Sequence, residues 1–146
     1  MALILRILSL RKMEMIKLTL VEFEKNFSLH DSIIEKIFYD NENKKLILEI
    51  DCCYWFENFD DKKDFINGKI SATFENVSYY SYEDYDPSKL FGDCVPEILQ
   101  TEIDDDGILN ICTFEFVRYE PGEDIYPIMK IKAENVEVVE LERYDL

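Results

Sequence analysis

His30 and Asp31 are adjacent in this sequence, and their side chains are of types that could support catalysis. A His-Asp pair can hold the metal of a phosphohydrolase, but such a site needs several histidines, and His30 is the only one in the chain. Ser28 or Ser32 could complete a Ser-His-Asp system, yet no nucleophile elbow or oxyanion loop accompanies them. We therefore expect His30 and Asp31 to bond the backbone where the chain enters a sheet.

Four cysteines offer a second chemistry, since they could form two disulfides or a zinc site. They are Cys52, Cys53, Cys94 and Cys112. No C-x-x-C pair exists, and neighbouring residues of a strand point to opposite faces, so Cys52 and Cys53 cannot act together. We expect three or four free, mostly buried thiols, which suit a reducing cytoplasm. Neither a metal nor a cofactor is expected.

The acidic run 104–106, followed by Gly107, resembles the start of a calcium loop. Its carboxylates are consecutive and strands flank it, so a tight turn in which Gly107 takes a positive φ explains it without metal. A catalytic carboxylate pair cannot be singled out among 32 acidic residues, and four glycines supply no nucleotide-binding loop. The sequence therefore predicts no catalytic residue, and the protein is not expected to be an enzyme.

Residues 29–56 predict a β-hairpin, because two apolar-rich runs flank the polar break 40–45. One parity of the second run, predicted to be its buried face, comprises Leu46, Leu48, Ile50, Cys52, Tyr54 and Phe56. The first run, 32–39, has isoleucines that favour a strand. The alternative is a helix capped by Ser28 or Asp31, because the apolar residues also have helical spacing.

Alternating apolar residues predict further strands along most of the chain. They cover 15–23, 69–79, 97–103, 108–119, 128–133 and 136–141, and Asn67-Gly68 predicts a turn before the second of them. The fold class is therefore mainly β: a single-domain antiparallel sandwich or partly open barrel of about seven to eight strands, with at most one or two short helices. The domain is expected to span residues 1–146.

Residues 1–12 form a flexible or additional N-terminal segment in this interpretation. They are apolar, but their basic residues do not precede the apolar part as in a signal peptide. The run is also shorter than the ~20 residues of a membrane span. An amphipathic first element, an added strand and an extension upstream of a start at Met13 or Met15 all remain open.

The charge balance is the main guide to partners. The chain has 32 acidic and 16 basic side chains, a formal net charge of −16. Such a surface repels phosphate backbones and anionic lipid, so neither nucleic acid nor membrane is expected as a partner. A basic protein fits better, and a cytoplasmic location is expected. The sequence does not determine the oligomeric state.

Residues 79–96 are predicted to form a long surface excursion whose first part is rich in tyrosine and acid. The candidate interface comprises Tyr79, Tyr80, Tyr82, Glu83, Asp84, Tyr85 and Asp86, with Trp55 added if its strand ends near the same edge. Tyrosine supplies large contact area, and carboxylates attract a cationic partner. The alternative is that these tyrosines cover the core while the acids form a solvated rim.

The run Leu29-His30-Asp31-Ser32, followed by a strand, an Asp/Asn turn and Leu46-x-Leu48-x-Ile50, resembles a known group of sequences. It is similar to small uncharacterised bacterial proteins, some of which are grouped with the immunity proteins of polymorphic toxin systems. The resemblance covers about the opening third of the chain and implies no catalytic residue.

Three functional hypotheses follow. The first is a non-enzymatic acidic protein-binding module, in its specific form an immunity protein that neutralises a basic toxin domain. The second is a small-ligand-binding barrel or sandwich whose cleft is lined by Tyr54, Phe74 and Phe114. The third is an enzyme with a cysteine or carboxylate nucleophile, which would need a thiol of lowered pKa in a pocket.

Overall fold

The computed structural model describes residues 15–57, 64–83, 97–114 and 128–144. Its elements are β1 (Met15–Leu18), α1 (Leu20–Asn26), β2 (Phe27–Ser28), β3 (Ile33–Asp40), β4 (Lys45–Phe56), β5 (Phe65–Glu75), β6 (Tyr79–Glu83), β7 (Glu97–Ile103), β8 (Leu109–Phe114), β9 (Ile128–Lys132) and β10 (Asn135–Tyr144). The mainly β, antiparallel prediction is confirmed. The count of seven to eight strands is wrong, because the described residues form ten. The two extra strands are β2, which has two residues, and β6, which lies at the start of the segment predicted to be a surface excursion.

The strands form one open antiparallel sheet in the order β1-β10-β5-β4-β3-β7-β8-β9-β6, and β2 pairs with β4 beside this path. β9 and β10 stand six places apart, which is about 29 Å in a flat sheet. Only Ala133 and Glu134 connect them, and that link spans at most about 11 Å. The sheet must therefore bend back on itself.

The bend is a continuous two-stranded ribbon. β10 pairs with β5 and β9 pairs with β6, so both connections cross the corner side by side. At the corner the N–H of Glu134 donates to the O of Glu75 (3.0 Å), and the N–H of Ser78 donates to the O of Lys132 (2.8 Å). This ribbon holds the two halves of the sheet over a common interior.

The inner face of the bent sheet carries the core. Its largest fully buried side chains are Phe23, Phe74, Ile34, Leu46, Leu48, Ile50, Ile70, Ile98, Leu109, Ile111, Met129 and Ile131. Each buried aliphatic or aromatic side chain contributes about 1.5–3 kcal/mol. At one end α1 adds Phe23, whose ring lies 5.1 Å from Phe27 and 5.7 Å from Phe74.

The strand predicted for residues 15–23 ends at Leu18, and the remainder of that range lies in α1. Thr19 and Glu22 form a capping box, in which each side chain accepts a hydrogen bond from the backbone N–H of the other residue. Leu20 and Phe23 then lie on one buried helix face. The prediction failed because the alternation of 15–20 was extended across a helix start.

Residues 32–39 were open between strand and helix, and the structure confirms the strand as β3. β3 pairs antiparallel with β4 and, at Ile33, with β7. Residues 1–12 lie outside the described residues. Within the described ranges no helix has the length and apolar character needed to span a membrane.

A β-bulge at Cys52 changes which side chains of β4 are buried. Cys52 has a φ of 56°, and three residue steps on β4 from Ile50 to Cys53 face two on β5. The extra residue reverses the alternation, so Cys53 and Trp55 are buried whereas Tyr54 is exposed. The predicted buried parity is therefore correct up to Ile50 and wrong after it.

Asn67 and Gly68 lie inside β5, so the turn predicted for them is wrong. A Cβ on Gly68 would lie 2.9 Å from Cη2 of Trp55 and would overlap the backbone oxygen of Glu142. Glycine is required here by the close approach of the Trp55 ring and β10.

Candidate functional site

The predicted tyrosine-rich interface begins with β6, in which Tyr79 and Tyr82 are 45% and 41% exposed. β6 pairs with β9, and residues directly opposite each other share a face of the sheet. Tyr80 and Tyr82 lie opposite the buried Ile131 and Met129 and therefore face inward. Asp84, Tyr85 and Asp86 lie outside the described residues.

The outward face of β6 has mixed charge. Tyr79 and Ser81 lie opposite Lys132 and Lys130, and Nζ of Lys130 is 3.1 Å from Oε1 of Glu83. The hydrogen bond that Lys130 donates to Glu83 raises the pKa of Lys130. The candidate tyrosines are thus divided between two faces, and lysines share the outward one.

The inward tyrosines continue toward β3. The ring of Tyr80 lies 4.9 Å from that of Tyr39 and 5.8 Å from that of Tyr82. Tyr39 and Tyr80 are partly buried and pack against the core. For Tyr80 the arrangement matches the alternative in which the tyrosines cover the core.

Trp55 lies in the core rather than beside β6. It is 6% exposed, and its ring is stacked 5.9 Å from that of Phe27. The bulge at Cys52 turns it inward, and β4 stands away from β6 in the strand order. Trp55 is therefore removed from the candidate interface.

The same bulge creates a partly exposed aromatic surface that the sequence interpretation missed. We call it the hairpin surface: Tyr54 and Phe56 of β4, Phe65 of β5 and Tyr144 of β10, all on the outer face. Tyr54, Asn67 and Tyr144 are cross-strand neighbours, and the rings of Phe56 and Phe65 lie 4.4 Å apart. Tyr54 is 38% and Phe65 57% exposed. A signal in the sequence would have been the run of polar and cysteine residues at 51–53, where the alternation of apolar side chains changes its parity.

Carboxylates surround the hairpin surface. The Tyr144 hydroxyl donates to Oδ1 of Asp51 (2.5 Å), which with partial burial raises the pKa of Tyr144. On the opposite face of the sheet, Arg143 lies across from Gly68 and donates to Glu140 (2.6 Å) and Glu57 (3.2 Å). Nζ of Lys69 is 2.5 Å from Oε2 of Glu35. Lys69 therefore has a carboxylate partner, and the carboxylates of Asp51 and Glu142 lie on the same outer face.

His30 has the backbone role that the sequence predicts. Its Nδ1 donates to the O of Leu99 (2.5 Å), and its Nε2 lies 3.4 Å from Oδ2 of Asp31. The N–H of Asp31 donates to the O of Ile98 (2.9 Å). The pair therefore fastens the entry of β3 to β7.

The acidic turn at 104–107 is also confirmed. Oδ1 of Asp104 accepts the backbone N–H of Asp106 and of Ile108, both at 2.9 Å, and Gly107 has a φ of 78°. Asp104 is thus engaged in closing the turn. Across the described part of the chain, no three His, Cys, Asp or Glu side chains are grouped so that they could hold a metal ion.

The described thiols lack the features of a nucleophile. Cys52 and Cys53 are free, Cys52 is half-buried and Cys53 is buried. Burial raises the pKa of both, and Asp51 and Glu35 raise that of Cys52 further. A higher pKa lowers the thiolate fraction at neutral pH. Cys94 and the side chain of Cys112 lie outside the description.

The proposed lining of a ligand cleft is not brought together. Phe74 is fully buried on the inner face, whereas Tyr54 lies on the outer face after the bulge. The side chain of Phe114 lies outside the described residues. Tyr54 and Phe74 therefore cannot line one cavity.

Comparison of the chain with protein-family models, with curated proteins and with solved structures found no match.

Proposed function

We propose that this protein is a cytoplasmic, non-enzymatic module that binds a basic protein partner. The observation that carries the proposal is the hairpin surface: aromatic side chains on one face of the sheet, of which Tyr54 and Phe65 are exposed, with the carboxylates of Asp51 and Glu142 and the ion pair of Lys69 with Glu35 beside them. Exposed aromatic residues contribute contact energy in protein interfaces. The net charge of −16 would accelerate encounter with a positively charged surface.

The specific form of this proposal is an immunity protein. Its acidic face would cover the basic active site of a toxin domain, and this follows the resemblance of the opening third of the chain. Exposed contacts between opposite charges weaken as salt shortens the Debye length, from about 14 Å at 50 mM to about 4 Å at 0.5 M. Salt-sensitive association is therefore the property to measure.

The test is capture from an extract of the native host on immobilised full-length protein. We expect a basic protein to be retained at about 50 mM salt and released at about 0.5 M. The tag alone is the control. Failure to retain any basic protein above that control, or retention that salt does not change, contradicts the proposal.

The immunity form has its own test. A gene adjacent to that of this protein should encode a large secreted protein with a basic C-terminal domain. The purified chain should then inhibit that domain at a one-to-one ratio. An intact toxic activity in the presence of excess chain would remove the immunity form and leave the binding module standing.

A further inference from the structure

We propose that the hairpin surface binds an arginine-bearing segment of the basic partner. This inference rests on the proposed function and names its docking site and the partner's chemistry. The hairpin surface comprises Tyr54, Phe56, Phe65 and Tyr144, which lie on the outer face of β4, β5 and β10.

The bulge at Cys52 produces this surface. Without the extra residue, Tyr54 and Phe56 would continue the inward parity of Leu46, Leu48 and Ile50. The bulge is held by two hydrogen bonds, from the N–H of Cys52 to Oδ1 of Asp51 (2.8 Å) and from Oγ of Ser32 to the O of Cys52 (3.2 Å). Bulges often redirect side chains beside functional sites.

The charges around the surface favour a cation. Lys69, the basic group on the outer face beside this surface, already contacts the carboxylate of Glu35. Asp51, which accepts the Tyr144 hydroxyl, and Glu142, which lies opposite Lys69, add negative charge that this cation does not balance.

Guanidinium is the cation that uses both parts of this surface. Its planar face stacks on aromatic rings, and its N–H groups donate in pairs to a carboxylate. Lysine ammonium is more strongly hydrated and cannot make the paired contact. A second copy of this chain is a poor occupant, because two molecules of net charge −16 repel each other.

The spacing of the rings suits an extended segment. Tyr54 and Phe56 are two residues apart on β4, about 6.8 Å along the strand. Alternate side chains of an extended partner have the same separation. Arginines at every second position could therefore reach both rings.

The experiment titrates the full-length chain, labelled with ¹⁵N, with an acetylated octapeptide of alternating arginine and serine at about 50 mM salt. Amide shifts should concentrate at residues 54, 56, 65, 67 and 144. Phe65→Ala and Tyr54→Ala should each weaken binding roughly three- to fivefold, whereas Tyr54→Phe retains the ring and should retain binding. The lysine-serine octapeptide should bind more weakly than the arginine peptide.

Phe38→Ala is the matched control, because Phe38 is 53% exposed on the same outer face but outside the hairpin surface. It should leave binding unchanged. An equal loss in Phe38→Ala, shifts centred on β6, equal affinity for the lysine peptide, or a dimer interface formed by Phe65 would each overturn the inference.

The two proposals can fail separately. A host protein captured equally well by the wild type and by Phe65→Ala would retain the binding module and remove this docking site. A specific peptide complex without any captured host protein would retain the site and remove the proposed function.

Discussion

At the scale of single residues, Gly68 is required for a close contact between strands rather than for the turn that the sequence predicts. The pair Asn67-Gly68 favours a hairpin turn in local terms. The structure uses the missing Cβ instead, because Trp55 and the backbone of β10 approach Gly68 from beyond its own segment. Nothing in the neighbouring sequence specifies those two contacts.

Gly68→Ala should lower the free energy of unfolding by about 1–3 kcal/mol, because the new methyl must displace the Trp55 ring or the backbone at Glu142. Urea unfolding followed by Trp55 fluorescence measures the change. Ser71→Ala, on the same strand and half-buried, is the control and should change stability by less than about 0.5 kcal/mol. Equal stability of the two variants would contradict the packing assigned to Gly68.

Tyr144 makes stability depend on pH at the alkaline end. Its hydrogen bond to Asp51 raises its pKa in the folded state. The folded protein therefore retains this proton above the unfolded pKa of about 10, so the contribution is present below pH 10 and is lost as pH rises. The urea midpoint of Tyr144→Phe should fall less between about pH 9 and 11 than that of the wild type.

Tyr79→Phe is the control for this pH experiment, since Tyr79 is an exposed tyrosine on β6. Its midpoint should follow the wild-type curve. A Tyr144→Phe curve parallel to that of the wild type would show that the contact with Asp51 does not raise the pKa of Tyr144 in the folded state.

At the scale of elements, bulges decide which face a side chain takes. Register shifts occur between Ile34 and Lys36 on β3, and between Ile50 and Cys53 on β4. A third lies between Glu140 and Glu142 on β10. These shifts lie in a band across neighbouring strands, where they increase twist and bend the sheet. The Cys52 bulge both closes the core around Trp55 and exposes Tyr54.

The adjacent cysteines should respond in opposite directions to glycine. Cys52→Gly relieves a φ of 56° and should leave stability unchanged or raise it by up to about 1 kcal/mol. Cys53→Gly removes a fully buried side chain and should cost about 2–3 kcal/mol. Urea unfolding of the two variants compares them directly. A larger loss in Cys52→Gly than in Cys53→Gly would contradict the bulge assignment.

Several elements were accessible from local patterns. The isoleucines of β3, the alternation of Leu46, Leu48 and Ile50, and the turn at Gly107 were predicted correctly. The start of α1 was also present in the spacing of Thr19 and Glu22, although strand alternation obscured it. The hairpin surface was not accessible, because it depends on the bulge and on β10, which is distant in sequence.

At the scale of the whole molecule, negative charge opposes folding. Ion pairs such as Lys17 with Glu137 (3.4 Å) lie at the surface, where solvent screens the attraction between the charges. A net charge of −16 adds repulsion throughout a small domain. The proposed binding of a basic partner rests on the same surplus of negative charge.

Moderate salt should therefore stabilise the free protein. Raising NaCl from about 10 to 200 mM shortens the Debye length from about 30 to 7 Å and screens the repulsion. We expect the thermal midpoint to rise by about 3 °C, which corresponds to about 1 kcal/mol for a chain of this size. Scanning calorimetry measures it, with KCl as the control for ion identity. A falling midpoint would mean that the ion pairs outweigh the repulsion.

The sequence by itself determined the class of the fold, most strand positions, the acidic charge and the absence of a recognisable catalytic motif. These properties depend on local alternation, turn residues and composition, so they can be assigned one segment at a time. Only the tertiary structure decided the burial of Trp55, the strand at Gly68, the two faces of β6 and the hairpin surface. Those features depend on one extra residue at Cys52 and on contacts with β10, because pairing across the sheet rather than local periodicity fixes which way each side chain points.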